Sequence, residues 1–262
     1  MKSKGIHGQD ILGNIAILKF DWDEKQKDKK KHALKFLKEH KGVRTVLEKT
    51  GKFSGRLRTL KTKYLAGEKN LEALYKENGC EFRFNVESCY FSSRLASERK
   101  EIASMTGKNE EVLVLFGGVA PFAIVIAKLS KAKRVVSVEL GRDCSKYAFM
   151  NAKRNKLDDR IEIVQGDVRK LLPKMGEKFD RIVMTRPNLS DSFLDVVFPR
   201  VKKNGIIHYY GFYEEDALEE MKNLIIVEAK KVGKKIKIVG ISKAGDIGAY
   251  KYRYRADIKV LN

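Results

Sequence analysis

The spacing of apolar positions along the chain changes character near residue 93. Before that point the signals are short and mixed. Residues 9–20, QDILGNIAILKF, predict a strand-forming segment with Gly13 inside it. Over residues 23–41, Ala33, Leu34, Phe36 and Leu37 draw one apolar stripe along a very basic helix. The runs VRTVLEKTGKF and CEFRFNVESCYF then read as β segments around a Lys/Arg-rich connector containing Gly55 and Gly67. Residues 1–90 are therefore expected to form a small α+β module with an antiparallel sheet.

From residue 93 onward, helical and strand signals alternate regularly. A helix over 93–105 leads into the apolar strand EVLVLFGG, and a helical stretch begins near Pro121. Strand RVVSVEL, helix 143–156, strand IEIVQGD, a short helix, strand DRIVMT, helix 190–202 and strand GIIHYYGF follow. A last helix over about 214–232 precedes two β runs, KKIKIVGI and YKYRYRADIKVL. Strands separated by helices imply right-handed crossovers and a parallel sheet covered on both faces. The two final runs predict an antiparallel pair at one edge. The expected class is α/β, a Rossmann-like, mostly parallel sheet over residues 91–262, preceded by the small α+β domain.

Composition narrows the setting. Hydrophobic residues make up 43% of the 262, yet no uninterrupted apolar run is long enough to cross a bilayer. The start, MKSKGIHGQDIL, lacks the apolar core and small-residue cleavage site of a secretory signal. A soluble cytoplasmic protein is the expectation. Cys80, Cys89 and Cys144 are odd in number, without CxxC spacing, which argues against a disulfide framework or a zinc site. Lys and Arg total 55 against 34 acidic residues, a net charge of +21. An excess of that size attracts polyanions, and nucleic acid is the leading partner. A heat-adapted surface would explain many charges of both signs, but not the positive surplus.

Candidate chemistry falls at the strand ends, where open α/β sheets bind ligands. LFGGVAPF (115–122) closes the first strand of the regular part, and its glycines permit close backbone approach. Glu139 ends the second strand, where a carboxylate accepts from ribose hydroxyls, and Asp167 ends the third, placed to meet an adenine amino group. Each acid alone also reads as a helix cap or a solvated side chain; together, with Glu139 about twenty residues past the glycines, they point to an adenosine-containing ligand. The loop is not GxGxxG, because Ala120 and Pro121 replace the later glycine pattern, and proline suits the first turn of a helix. A loop without a pyrophosphate cradle favours S-adenosylmethionine over a dinucleotide.

These residues resemble the archaeal and eukaryotic tRNA (guanine-37-N1)-methyltransferases and their wybutosine-pathway relatives that transfer an aminocarboxypropyl group. The likeness includes GNIAIL, SGRLRTLKTKYLAGE (54–68), FGGVAPF, VVSVEL, IVQGDV, MTRP and GIIHYY. Its most specific block is ENGCEFRFNVESCYFSSRLASER (77–99). The resemblance implies a class I methyltransferase domain with a seven-stranded sheet, S-adenosylmethionine as cofactor, and the anticodon stem-loop of tRNA as partner; a monomer with no membrane attachment is expected. It implies Glu98 as general base, with Arg58 as its partner, and Tyr90, Ser92, Arg99, Phe116, Gly118, Glu139, Leu140, Asp167, Val168, Thr185 and Pro187 around the cofactor. Arg99 would pair with the methionine carboxylate. A base is needed because guanine N1 carries a proton, and a guanidinium suits the negative charge that its loss sends to O6.

Against that reading, Glu98 and Arg94 are also spaced to pair on one exposed helix face, and Arg58 stands among Arg56, Lys61 and Lys63 as one phosphate contact of several. The family usually carries an acid at Val114, a glycine at Ala120 and Asn-Leu-Pro at Thr185-Arg186-Pro187. Thr185 cannot present the two-sided edge of an amide. The outer-corner domain of long family members is expected to be missing, leaving recognition to the stem-loop and the basic module, including the lysines of 25–31. The alternatives are aminocarboxypropyl transfer to a wyosine-precursor base, and a non-catalytic RNA-binding module that kept the fold.

Overall fold

Gly13 turns the chain instead of lying within a strand. In the computed structural model, which describes residues 5–186, 191–248 and 250–262, Gly8–Leu12 (β1) and Ile15–Lys19 (β2) form a hairpin about it. Gly13 has φ +62°, and a Cβ there would lie 1.8 Å from the Leu74 carbonyl oxygen, so only glycine fits. The basic helix Gln26–Glu39 (α1) buries Ala33 and Phe36 against Thr45–Lys49 (β3) and Thr62–Gly67 (β4). These strands form a four-stranded sheet ordered β1-β2-β3-β4, in which β2 and β3 run parallel and the outer pairs antiparallel. Of the lysines in 25–31, Lys29 is buried and paired with Glu48 at 2.6 Å, while Lys25, Lys27, Lys30 and Lys31 are exposed.

A second hairpin, Glu72–Glu77 (β5) and Cys80–Asn85 (β6), pairs only with itself. Sequence reading took β4 and β5 as connector, because their Lys, Tyr and Glu residues do not alternate cleanly. After a short 3-10 turn at Ser93–Leu95, Ala96–Met105 (α2) leads into Glu111–Leu115 (β7). Then follow Pro121–Leu129 (α3), Arg134–Glu139 (β8), Arg142–Arg154 (α4), Ile161–Gln165 (β9), Val168–Leu171 (α5), Phe179–Met184 (β10) and Leu194–Val197 (α6). Val201–Glu214 (β11), Leu218–Lys231 (α7), Ile236–Gly248 (β12) and Lys251–Val260 (β13) complete the chain.

The large sheet has the order β12-β13-β11-β10-β7-β8-β9. Its five strands from β11 to β9 are parallel; β13 runs antiparallel between β11 and β12. The C-terminal antiparallel pair is thus present, with the last strand inserted and β12 outermost. Helix α3 is buried from Phe122 through Ala127, because it lies between the sheet and the layer formed by α2 and β6. The β5–β6 hairpin is clamped to α4 by paired amides: Asn151 and Asn155 accept from the Arg83 and Glu81 N–H groups and donate to their carbonyls. Both are buried, and satisfying four backbone groups is what makes two buried amides affordable.

Register sorts the β11–β13 seam by polarity. His208 pairs with Asp257, Tyr210 with Arg255 and Phe212 with Arg253, all on one face, while Tyr209 and Ala256 join the apolar cluster with Met221 and Ile225 of α7. The polar ladder faces α2.

Candidate functional site

Strand order reverses at β7, whose neighbours are β8 and β10, so the carboxyl ends of these three strands open a crevice. The turn after β7 is built to approach β8 closely: a Cβ at Gly117 would lie 2.2 Å from the Ser137 hydroxyl. Phe116, Gly118 and Ala120 all have positive φ, near 60°, and Ala120 caps α3 with Pro121 in its first turn. Glu139, at the end of β8, accepts the Gly118 N–H at 2.8 Å and the Gly141 N–H at 2.6 Å, one on each oxygen. Each oxygen retains a lone pair toward the crevice.

One arm of the crevice is lined by Phe116, Glu139, Leu140, Asp167, Val168, Arg186 and Phe193. Asp167 caps α5, accepting the Arg169 N–H at 2.9 Å, and its other oxygen accepts from Arg56 at 2.7 Å. The Arg56 guanidinium holds this carboxyl below its usual range. The 54–59 loop of the N-terminal module thereby reaches across the crevice. Arg186 fastens it a second time, donating to the Arg56 carbonyl at 2.6 Å.

The other arm, about 80 Å³, is lined by Arg58, Tyr90, Ser92, Arg99, Gly118 and Thr185, among others. Arg58, at φ 52°, lies over the Tyr90 ring, its Cζ 3.8 Å from the ring centre. Arg99, only 1% exposed, is bound bidentately by Glu77, donates to the Ser92 carbonyl at 3.0 Å, and sits between the Phe91 and Phe122 rings. Those bonds use its Nε and Nη2. The Thr185 hydroxyl is directed at the Leu115 and Phe116 carbonyls, at 3.0 and 2.8 Å, which ties β10 to β7 and leaves no hydroxyl hydrogen for a ligand. Pro187 lies outside the described residues. Cys144 also lines this arm, but its contact with Cys89 and its burial push the thiol pKa far up, and burial pushes Cys80 to about 11.

Glu98 is not in the wall of the crevice. It is 7% exposed, and its Oε1 accepts from the Tyr210 hydroxyl and from Arg255 Nη1, both at 2.6 Å. The exposed pair with Arg94 does not form; Arg94 turns to Asp10 at 3.3 Å. Arg255 also bonds Glu101 at 2.7 Å and Asp257 at 2.9 Å, and Asp257 in turn accepts from His208 Nδ1 at 2.6 Å. Tyr210 packs edge-on to Phe122, with ring centroids 6.2 Å apart, and Phe122 does line the crevice. Glu98 thus stands one side-chain layer behind the wall, held there by the polar ladder of the β11–β13 seam.

Sequence reading missed Arg186, Tyr210, Arg253 and Arg255. Arg186 is half-buried, its Nε has no hydrogen-bond partner, and burial followed by the nearby Arg58 lowers its pKa. The last two arginines belong to YKYRYRAD, which reads as an exposed edge until β13 is seen to be inserted.

The donor set suits an adenosine-bearing sulfonium cofactor. Glu139 offers two free lone pairs to vicinal hydroxyls, Phe116 and Phe193 offer aromatic walls, and the tight glycine turn gives no pyrophosphate cradle. Fold and crevice together define a class I, Rossmann-like methyltransferase. The sequence matches the TRM5/TYW2 methyltransferase domain over residues 73–239 and the TYW2 N-terminal domain over residues 6–70. The chain belongs to the TRM5/TYW2 methyltransferase family. The tRNA (guanine(37)-N(1))-methyltransferase Trm5b of Pyrococcus abyssi is 33% identical over 256 residues, 96% of this chain and 74% of the relative. Taw22 of Nanoarchaeum equitans, named a tRNA (guanine(37)-N(1))/4-demethylwyosine(37)-methyltransferase, is 34% identical over 302 residues, 96% of this chain and 99% of the relative. The crystal structure of Pyrococcus abyssi Trm5b superposes with a TM-score of 0.87 at 32% identity, covering 98% of this chain and 76% of that one.

Proposed function

We propose that this protein is an S-adenosylmethionine-dependent tRNA methyltransferase that acts on N1 of guanosine 37, beside the anticodon. The observation that carries the reading is the two-armed crevice: an adenosine-type arm around Glu139, and beside it an arm in which Arg58 lies over Tyr90. Kinship with methyltransferases named for guanine 37 supports the substrate, and the net charge of +21 supports RNA as partner. The basic module of residues 1–90 carries part of that contact through its exposed lysines.

When bound, the cofactor supplies an electrophilic methyl group on sulfur. The chain's own work is to hold a purine in line with it and to manage one proton. Glu98 takes the N1 proton after turning from Arg255 toward the crevice. Arg255 tolerates that departure because Glu101 and Asp257 keep it neutralised. Arg58 stabilises the negative charge that moves to O6. Glu139 and Asp167 fix the adenosine end, and Asp167 must first release Arg56. The raised thiol pKa values leave Cys80 and Cys144 poor nucleophiles, and none is required.

The match of residues 6–70 to the TYW2 N-terminal domain favours one second reading, aminocarboxypropyl transfer to a wyosine-precursor base with the same cofactor. Incubating unmodified tRNA transcript with cofactor labelled separately in the methyl and aminobutyryl parts decides between them. Methyl label at N1 of guanosine 37 is the expected outcome. Aminobutyryl label on RNA overturns it, and no label on any tRNA, with cofactor bound, supports a binding module instead.

A further inference from the structure

Behind Tyr90, on the side away from the cofactor crevice, lies a second cavity of about 240 Å³ between the N-terminal sheet, the turn before α2 and the C-terminal hairpin. At about 30 Å³ per water, it has room for roughly eight waters, enough for a phosphate group with part of its sugar. Lys19, Lys49, Arg94 and Arg253 line it, against Asp10 and Asp246. Both carboxylates are already engaged, Asp10 by Arg94 at 3.3 Å and Asp246 by Lys243 at 3.0 Å.

Arg253 is the unusual member. It is 8% exposed, its Nε has no hydrogen-bond partner, and among the described residues no carboxylate lies within ion-pair distance of it. Every other arginine so buried in this chain, Arg99, Arg181 and Arg255, is bound by a carboxylate. Burial lowers the Arg253 pKa; the neighbouring Tyr90 offsets part of this, and Arg58 lowers it further. Lys49 is depressed by burial and then by Lys19, and its ammonium rests 4.8 Å over the Phe53 ring. Asp10 neutralises Arg94 and partly offsets Lys49, but Arg253 keeps no carboxylate partner, and an unpaired buried cation costs stability. The cost is removed when an anion enters.

We propose that this cavity is a phosphate subsite for the RNA strand, gripping one phosphate adjacent to the nucleotide whose base occupies the cofactor crevice. Tyr90, Phe91 and Ser92 line both spaces, so the two sites are one side-chain layer apart. A strand that inserts a base beside Arg58 brings its neighbouring backbone past Lys49 and Arg253. The subsite rests on the tRNA reading above.

The test is a cycle with the full-length protein. tRNAs carrying a single neutral methylphosphonate linkage 5′ or 3′ of the target nucleotide are bound to wild-type, R253M and K49M protein. One of the two linkages is expected to weaken wild-type binding about tenfold, a charged hydrogen bond's worth. R253M should weaken intact tRNA by a similar factor, and the combination should cost no more than either alone. The slope of log affinity against log salt should fall by about 0.7, the single-strand value for one phosphate. Cofactor affinity and the thermal midpoint of R253M should hold or rise, since an unpaired buried charge is gone; should R253M not fold, K49M carries the cycle. Additive losses at both linkages, or an unchanged salt slope, overturn the proposal. So does an Arg253-dependent affinity for inorganic phosphate alone, without a response to either linkage. Wild-type methyl transfer is measured in parallel: an intact cycle without transfer supports the subsite and overturns the reaction.

Discussion

Replacing Glu98 by glutamine separates proton removal from scaffolding. The glutamine carbonyl still accepts from Tyr210, and Arg255 keeps Glu101 and Asp257 as partners. The structural loss is therefore the charge assistance of the two hydrogen bonds at Oε1, about 1–2 kcal/mol in all. For a chain of this size, each kcal/mol moves the melting temperature about 2–4 °C, so a drop of roughly 2–8 °C is expected. Loss of a general base costs about 10²–10⁴-fold in rate. Single-turnover transfer from labelled cofactor to tRNA, run well below the melting temperature, should fall by that factor, with both ligand affinities kept within about threefold. R255M is the control, because it disrupts the same network but leaves the carboxylate. Breaking that buried pair costs about 3–5 kcal/mol of stability, yet transfer should stay within about tenfold of wild type. An E98Q rate equal to wild type removes Glu98 as base. An R255M loss as large as that of E98Q assigns the effect to the seating of α2.

Two further predictions follow from ion pairs. The Arg56–Asp167 pair closes the adenosine arm, and as a largely exposed pair it is worth about 0–1 kcal/mol. R56M should therefore tighten cofactor binding by up to about fivefold in calorimetry; weaker binding would place Arg56 on the cofactor itself. His208 accepts from Arg181 at Nε2 (2.6 Å) and donates to Asp257 from Nδ1, so protonation would set two cations face to face. Burial lowers its pKa from the ordinary 6.5, and the folded state then binds fewer protons than the unfolded one below that value. Stability should be full above pH 6.5 and decline as pH falls through it. H208Q should remove this part of the decline in urea midpoints, and an unchanged pH profile would assign it to other groups.

The regular part of the fold was legible because parallel strands buried on both faces read as short apolar runs, and Glu139 and Asp167 fall where such runs stop. The N-terminal hairpin was not, since Gly13 looks the same inside a strand as at a turn until Leu74 is seen pressing against it. At the site, Arg58, Tyr90 and Ser92 could be placed together by resemblance. The packing of Glu98 could not, because its partners lie 112 and 157 residues away on adjacent strands. The packing of Arg99 was out of reach in the same way, because its carboxylate partner Glu77 lies on β5. Local spacing carries no information about contacts of that range.

The nine consecutive pairings of β11 with β13 contrast with the three irregularities between β13 and β12. The inner seam alone tells the last strand where to stop. Sliding β13 by a single position would drive Arg253, Arg255 and Asp257 into the hydrocarbon beneath α7, a penalty no misaligned sheet survives. One deletion within 206–212 would therefore unseat α2 and the crevice together.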